Sequence, residues 1–137
     1  MSKKEQLHNV ETIMGEMLEI QQKSKKFVNL LSEGETLSQN QLILLLQLKS
    51  NNGMKATEIA EFFSVTPGAV TSMCDKLEKL ELVERIREQE DRRVVKMALT
   101  NSGELKVQDL FLKFPQEKLI DMANILREVN QLMNKIF

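Results

Sequence analysis

Apolar residues recur at helical spacing from Leu7 through Val10, Ile13, Met14, Met17 and Leu18 to Phe27, Val28 and Leu31, and Gly34 lies just beyond the last of them. This predicts a long first helix. Ser38-Gln39-Asn40-Gln41 then has the form of a capping box, with Leu37 and Leu42 placed to close a hydrophobic staple, and a second helix is expected to run to about Ser50, where Asn51-Asn52-Gly53 stops it. A short third helix is expected over about Lys55 to Phe63. Its start is the worst capped, since Lys55 or Ala56 stands where Ser or Thr would serve. After Leu80 the period shortens to two: Leu82 to Arg87 and Val94 to Leu99 predict two strands joined by the polar segment Glu88 to Arg93. Thr100 caps a fifth helix directed toward Phe114, and Pro115 separates it from a last helix. There Leu119, Met122, Leu126, Val129, Met133 and Ile136 form a stripe widened by Ile125 and Leu132.

The fourth helix is the most strongly specified. Thr66 can accept from the free N–H groups of a helix whose first residue, Pro67, has no N–H to satisfy. Val70, Met73, Cys74, Leu77 and Leu80 fall on one face, leaving Gly68, Thr71, Ser72, Asp75, Lys76 and Lys79 on the other. Ile59, Phe63, Val65, Val70 and Met73 fall where two helices and their turn interlock, with Ala60 as the small residue at the crossing. Ser64 stands in the turn, where a left-handed conformation is expected at some steric cost. Helix, turn, helix and hairpin in this order describe a winged helix-turn-helix. A two-stranded hairpin alone is marginal, so the wing must lean on the fourth helix.

In these segments the chain resembles the MarR-type winged-helix transcription regulators. The resemblance runs through Val65-Thr66-Pro67-Gly68-Ala69-Val70-Thr71, Asp75-Lys76-Leu77-Glu78-Lys79-Leu80, Leu82-Val83-Glu84-Arg85, Asp91 with Arg93, and Leu99-Thr100 with Gly103. With similar flanking helices, it covers nearly the whole chain. It implies a mostly α fold with a small β-wing, in which a winged core of about residues 38–103 is flanked by dimerisation helices at 1–34 and 116–137. It further implies a homodimer that binds a roughly palindromic double-stranded DNA operator, represses transcription, and is released by a small-molecule effector or an oxidant.

Composition bounds this picture more than it supports it. At 137 residues and 42% hydrophobic the chain is large enough for one unstapled core. Its formal net charge is -1, without the basic excess of many nucleic-acid binders. Within the winged segment eight basic residues (Lys55, Lys76, Lys79, Arg85, Arg87, Arg92, Arg93, Lys96) meet nine acidic ones (Glu58, Glu61, Asp75, Glu78, Glu81, Glu84, Glu88, Glu90, Asp91). DNA binding must then depend on where the charges point. The balance also suits a different class of protein, a winged-helix module that meets a partner protein and no DNA. The start has no apolar leader and no run long enough to span a membrane, and one cysteine forms no internal disulfide, so a cytoplasmic protein is expected.

For reading bases the candidates are Thr66, Pro67, Gly68, Thr71 and Ser72 at the front of the fourth helix, with Lys76 directed to phosphate. Many relatives carry a basic residue where Ser72 stands. At the wing tip Arg92 and Arg93 can enter a narrow minor groove, and the resemblance gives Arg93 that role with Asp91 orienting it. Lys55, Thr57 and Ser64 are candidates for backbone contacts. Arg85 and Arg87 either brace the strand or touch DNA. Cys74 is expected to pack as a small hydrophobe, its alternative use being redox sensing. His8 with Glu5 and Glu11 one turn away could hold a metal loosely, although a surface helix produces the same pattern, and no cofactor is expected. One His and one Cys on separate helices offer no base and nucleophile pair, and no glycine-rich phosphate loop follows a strand, so catalysis is not expected.

Overall fold

A computed structural model describes all residues from Met1 to Phe137. Six α-helices and a small sheet follow the expected order: α1 (Lys3–Ser32), α2 (Gln39–Ser50), β1 (Met54–Lys55), α3 (Ala56–Phe63), α4 (Pro67–Lys79), β2 (Val83–Arg87), β3 (Val95–Leu99), α5 (Asn101–Phe111) and α6 (Leu119–Met133). A single 3-10 turn, Gln116–Lys118, leads into α6.

The helix starts are set by local chemistry. At α2 the capping box closes in both directions: the Gln41 N–H donates to Ser38 Oγ at 3.2 Å, and the Ser38 N–H donates to Gln41 Oε1 at 3.0 Å. Thr66 and Thr100 cap α4 and α5 by accepting from the N–H groups of Ala69 and Gly103. α3, lacking a capping side chain, is helped by Glu58, which accepts from the Lys55 N–H at 2.9 Å. Its start is therefore one residue later than expected, at Ala56.

The main departure is the sheet. Met54 and Lys55 pair antiparallel with Met97 and Lys96, so β3 lies between β1 and β2. A two-residue strand leaves no alternation in the sequence to detect. It nevertheless anchors the inner edge of the hairpin, with Gly53 at φ +98° turning the chain into it. The wing thus leans on β1 as well as on α4. Several ends also move. Leu82 and Val94 fall just outside the strands, α5 ends at Phe111 short of Phe114, and Ile136 lies beyond α6. Leu80 was expected on the buried face of α4 but is half exposed, because the helix ends at Lys79 and Leu80 is its C-cap.

The core lies where α2 meets β3 and α5, and where α4 meets α3 and β2. Leu42, Leu44, Leu45, Leu48, Ile59, Val70, Leu77, Val107 and Leu110 are almost fully buried, each contributing about 1.5–3 kcal/mol by removal from water. α2 is covered on most sides, which is why it carries a dense apolar run and no clean polar stripe. By contrast, every residue of α1 from Lys3 to Lys26 is exposed, and α6 buries none of its residues. No helix is long and apolar enough to cross a membrane.

Candidate nucleic-acid interface

The turn between α3 and α4 determines how α4 is presented. Ser64 adopts φ +53° and ψ +48°, the left-handed state expected of it, and the chain re-enters extended geometry at Thr66 before α4 begins at Pro67. Val70, Cys74 and Leu77 then point into the core, while Thr66, Pro67, Gly68, Thr71, Ser72 and Lys76 are exposed. Gly68 is not required by the fold, since a Cβ there would meet only Thr66 Oγ1 at 3.9 Å. Its absence leaves the front of the helix flat and lets another molecule approach the backbone.

The two threonines differ in what they have left to offer. Thr66 Oγ1 accepts from the Ala69 N–H at 3.2 Å and keeps its own proton for a partner. The Thr71 hydroxyl donates to the Pro67 carbonyl at 3.1 Å, so outward it presents a methyl group and acceptor lone pairs. A methyl suits the C5-methyl of thymine. The Ser72 hydroxyl makes no hydrogen bond within the chain, which leaves it free as both donor and acceptor.

The wing is held by charge. Arg85 on β2 reaches α4 with both ends of its guanidinium, donating to Glu78 Oε1 at 2.8 Å and to Asp75 Oδ1 at 2.9 Å. One guanidinium thus engages two carboxylates of α4 and offsets one of their two charges, which makes Arg85 a brace between strand and helix. Arg87 donates to the Arg92 carbonyl at 2.8 Å and holds the turn. Within the turn Asp91 accepts from the Arg93 N–H and Nε, both at 3.1 Å, and that pairing holds the Asp91 carboxyl below its usual range. The Arg93 side chain remains 91% exposed. Lys96 pairs with Glu88 at 3.1 Å.

These pairings leave the winged segment evenly divided, with Lys55, Lys76, Lys79, Arg87 and Arg92 unpaired against Glu58, Glu61, Glu81, Glu84 and Glu90. Asp75, Glu78, Glu88 and Asp91 are matched by neighbouring bases, whereas Lys55, Lys76, Lys79 and Arg92 form no ion pair and remain available. Lys55 and Thr57 are exposed at one end of α3 and Ser64 at the other, about 12 Å of helix apart, so they do not make one patch. Arg85 and Arg87 are the functional residues whose roles the sequence left open, because a strand residue's partners on a distant helix leave no local signature.

Cys74 lies 3% exposed beneath the Arg85 bridge. Burial pushes its thiol up from the ordinary value, Arg85 opposes this, and Asp75 and Glu78 add to it. The thiol is therefore kept protonated and packed. Near the N-terminus, Glu5 is taken up in the first capping box, accepting from the Ser2 N–H at 3.1 Å.

Comparison with known proteins agrees with this geometry. The MarR family model matches residues 37–95. The HTH-type transcriptional repressor MdtR of Bacillus subtilis is 33% identical over 110 residues, covering 72% of this chain and 71% of that protein. The chain belongs to the MarR family. Its curated relatives are transcription regulators rather than enzymes. Among solved MarR-like structures, the transcriptional regulator BldR from Sulfolobus solfataricus is 29% identical with a TM-score of 0.63, covering 99% of this chain and 97% of that one. A mutant MarR from E. coli complexed with operator DNA shares the fold, with a TM-score of 0.68 at 22% identity over 96% of this chain and 98% of that one. As a MarR-family protein the chain is a DNA-binding regulator, and its α4 occupies the recognition-helix position of the winged fold.

Proposed function

We propose that this MarR-family protein is a homodimeric, cytoplasmic repressor of a roughly palindromic operator. Its two recognition helices would enter major grooves about one turn, ~10 bp, apart. One observation supports this most: the front of α4 presents Thr66, Gly68, Thr71 and Ser72 beside an exposed Arg92 and Arg93, while Asp75, Glu78 and Asp91 are paired within the protein. Thr66, Thr71 and Ser72 would read bases, Lys76 and Lys55 would meet phosphates together with Thr57 and Ser64, and Arg93 would enter the minor groove with Asp91 fixing its direction.

The second copy would cover α1 and α6. Leu7, Val10, Ile13 and Met14 on α1, with Ile125, Leu126 and Leu132 on α6, are large apolar side chains about half exposed in one protomer. Between the two helices lies a hollow of about 540 Å³ lined by Ile20, Phe27, Val28, Met122, Ile125 and Val129, with Lys23 on its wall. This chemistry suits a small lipophilic anion as effector. An effector there would bear on the same helices as the partner and so on the separation of the two recognition helices.

A salt titration against duplexes selected from a random pool tests the reading. Log affinity should fall linearly with log salt, with a slope of roughly -0.9 per neutralised phosphate. Failure to bind any duplex at low salt would instead favour a winged-helix module directed at a protein partner.

A further inference from the structure

α1 meets the winged core at its C-terminal end, where it packs on α2, and that end carries an unusual cap. Its last turn contains no basic residue, and its C-cap is Glu33, an acid where a cation would be favourable. The missing cation comes from just beyond the end of α5. Lys113 Nζ donates to the Leu31 carbonyl at 3.2 Å and the Glu33 carbonyl at 2.8 Å, and it pairs with Glu35 Oε1 at 2.7 Å. Lys106, two turns earlier, holds the other oxygen of the same carboxylate at 2.5 Å. The Glu35 side chain is only 12% exposed, and these two ammonium groups hold its carboxyl below the ordinary glutamate range. Beside the cluster Phe27 of α1 stacks on Phe114, ring centroids 4.4 Å apart and planes 9° from parallel. Phe114 precedes Pro115, where the chain leaves for α6. Both long helices assigned to the dimer thus meet the DNA-binding core at one locus.

We infer that Glu35, Lys106 and Lys113 form a stiff joint that sets the angle between the dimer helices and the DNA-binding core, and so specify which half-site spacing the MarR-family dimer accepts. The inference rests on the homodimeric reading above. Leverage is the physical reason. α1 spans 30 residues, about 45 Å, so a rotation of about 5° at its C-terminal end displaces the other end by about 4 Å. That is on the order of the ~3.4 Å rise of one base pair. A dimer that tells one spacing from the next therefore needs this end held to a few degrees. Carbonyls caught by a charged donor, a carboxylate held by two ammonium groups and a stacked aromatic pair together restrict it. These three residues are positioning residues and need not touch DNA.

The test uses the full-length protein and a duplex series carrying two copies of a half-site selected by the wild type, the spacer varied one base pair at a time, with a single half-site duplex alongside. Lys113→Met removes the charge and the donors while keeping most of the side-chain length. It should lower the ratio of affinity at the best spacing to affinity one base pair away by about fivefold, with half-site affinity and dimer mass unchanged. Glu35→Gln, which keeps the Lys113 contacts to α1, should shift the ratio in the same direction by less. The proposal is overturned if both variants keep the wild-type spacing profile, or if every duplex, half-site included, weakens by one common factor. Should Lys113→Met fail to fold, an unchanged profile in Glu35→Gln overturns it alone. A wild type that is monomeric or shows no spacing optimum defeats the dimer reading itself, a result distinct from a variant matching a sharply selective wild type.

Discussion

Ser64 and Arg93 show how much a single residue can carry in opposite directions. Ser64 holds a left-handed conformation at φ +53° that an L side chain resists and glycine does not. Ser64→Gly should raise the stability by about 0.5–1 kcal/mol, read as a higher urea midpoint with an unchanged slope. A midpoint at or below that of wild type would show that the turn is not strained. If the Ser64 hydroxyl also meets a phosphate, the same variant should bind duplex more weakly while being the more stable protein. Arg93 costs the fold little, since its side chain is 91% exposed and anchored only within its own turn. Arg93→Ala should leave the melting temperature and dimer mass in place and weaken duplex binding by about 1.5–3 kcal/mol, the size of a charge-assisted contact. Fluorescence anisotropy equal to that of wild type would remove the wing from the interface.

Among the elements, the start of α5 packs closely on the turn at Glu81 and Leu82 that follows α4. Thr100 donates its hydroxyl to the Glu81 carbonyl, its backbone N–H donates to the Leu82 carbonyl at 3.1 Å, and its Oγ1 caps α5 by accepting from Gly103. The first turn of α5 is thereby drawn so close that a Cβ on Gly103 would lie 2.0 Å from the Leu82 carbonyl oxygen. Backbone cannot yield as a flexible side chain does. Gly103→Ala should therefore cost about 1–3 kcal/mol or more, seen as a lower melting temperature, and a neutral result would mean that α5 shifts freely. Gly103 belongs to the segment that first suggested the family, and its physical reason is this close approach. The wing depends on similar ties. Arg85 links β2 to α4, and β1 links the hairpin to α3, so the wing and recognition helix move as one body.

For the whole molecule, the proposed homodimer would be held by the exposed apolar faces of α1 and α6. Side chains such as Leu126, 52% exposed in the protomer, contribute little to its own core. Leu126→Asp should thus leave protomer helicity intact while dissociating the dimer, as measured by light scattering, and should weaken binding to paired half-sites more than to a single half-site. A variant that remains dimeric would place the contact elsewhere. The chain is weakly acidic overall, yet its winged core can present a cationic edge where Lys76, Arg92 and Arg93 lie exposed and Asp75, Glu78 and Asp91 are paired. Net charge sums over all residues, whereas binding depends on those left unmatched at one surface.

Near neighbours in the chain suffice to specify the helix starts at Ser38, Thr66 and Thr100, the left-handed Ser64, the two wing strands and the inward face of α4 apart from Leu80. Each follows from hydrogen bonds or periodicity within a few residues. Features that depend on residues far apart in the chain emerge when packing brings those residues together. Strand β1 exists because β3 lies beside it, Arg85 is a brace because α4 brings Asp75 and Glu78 within reach, and α1 is capped by Lys113 about eighty positions away. Local backbone preferences are encoded in short windows. Partners chosen by packing are encoded by the whole chain at once, and no single window holds them.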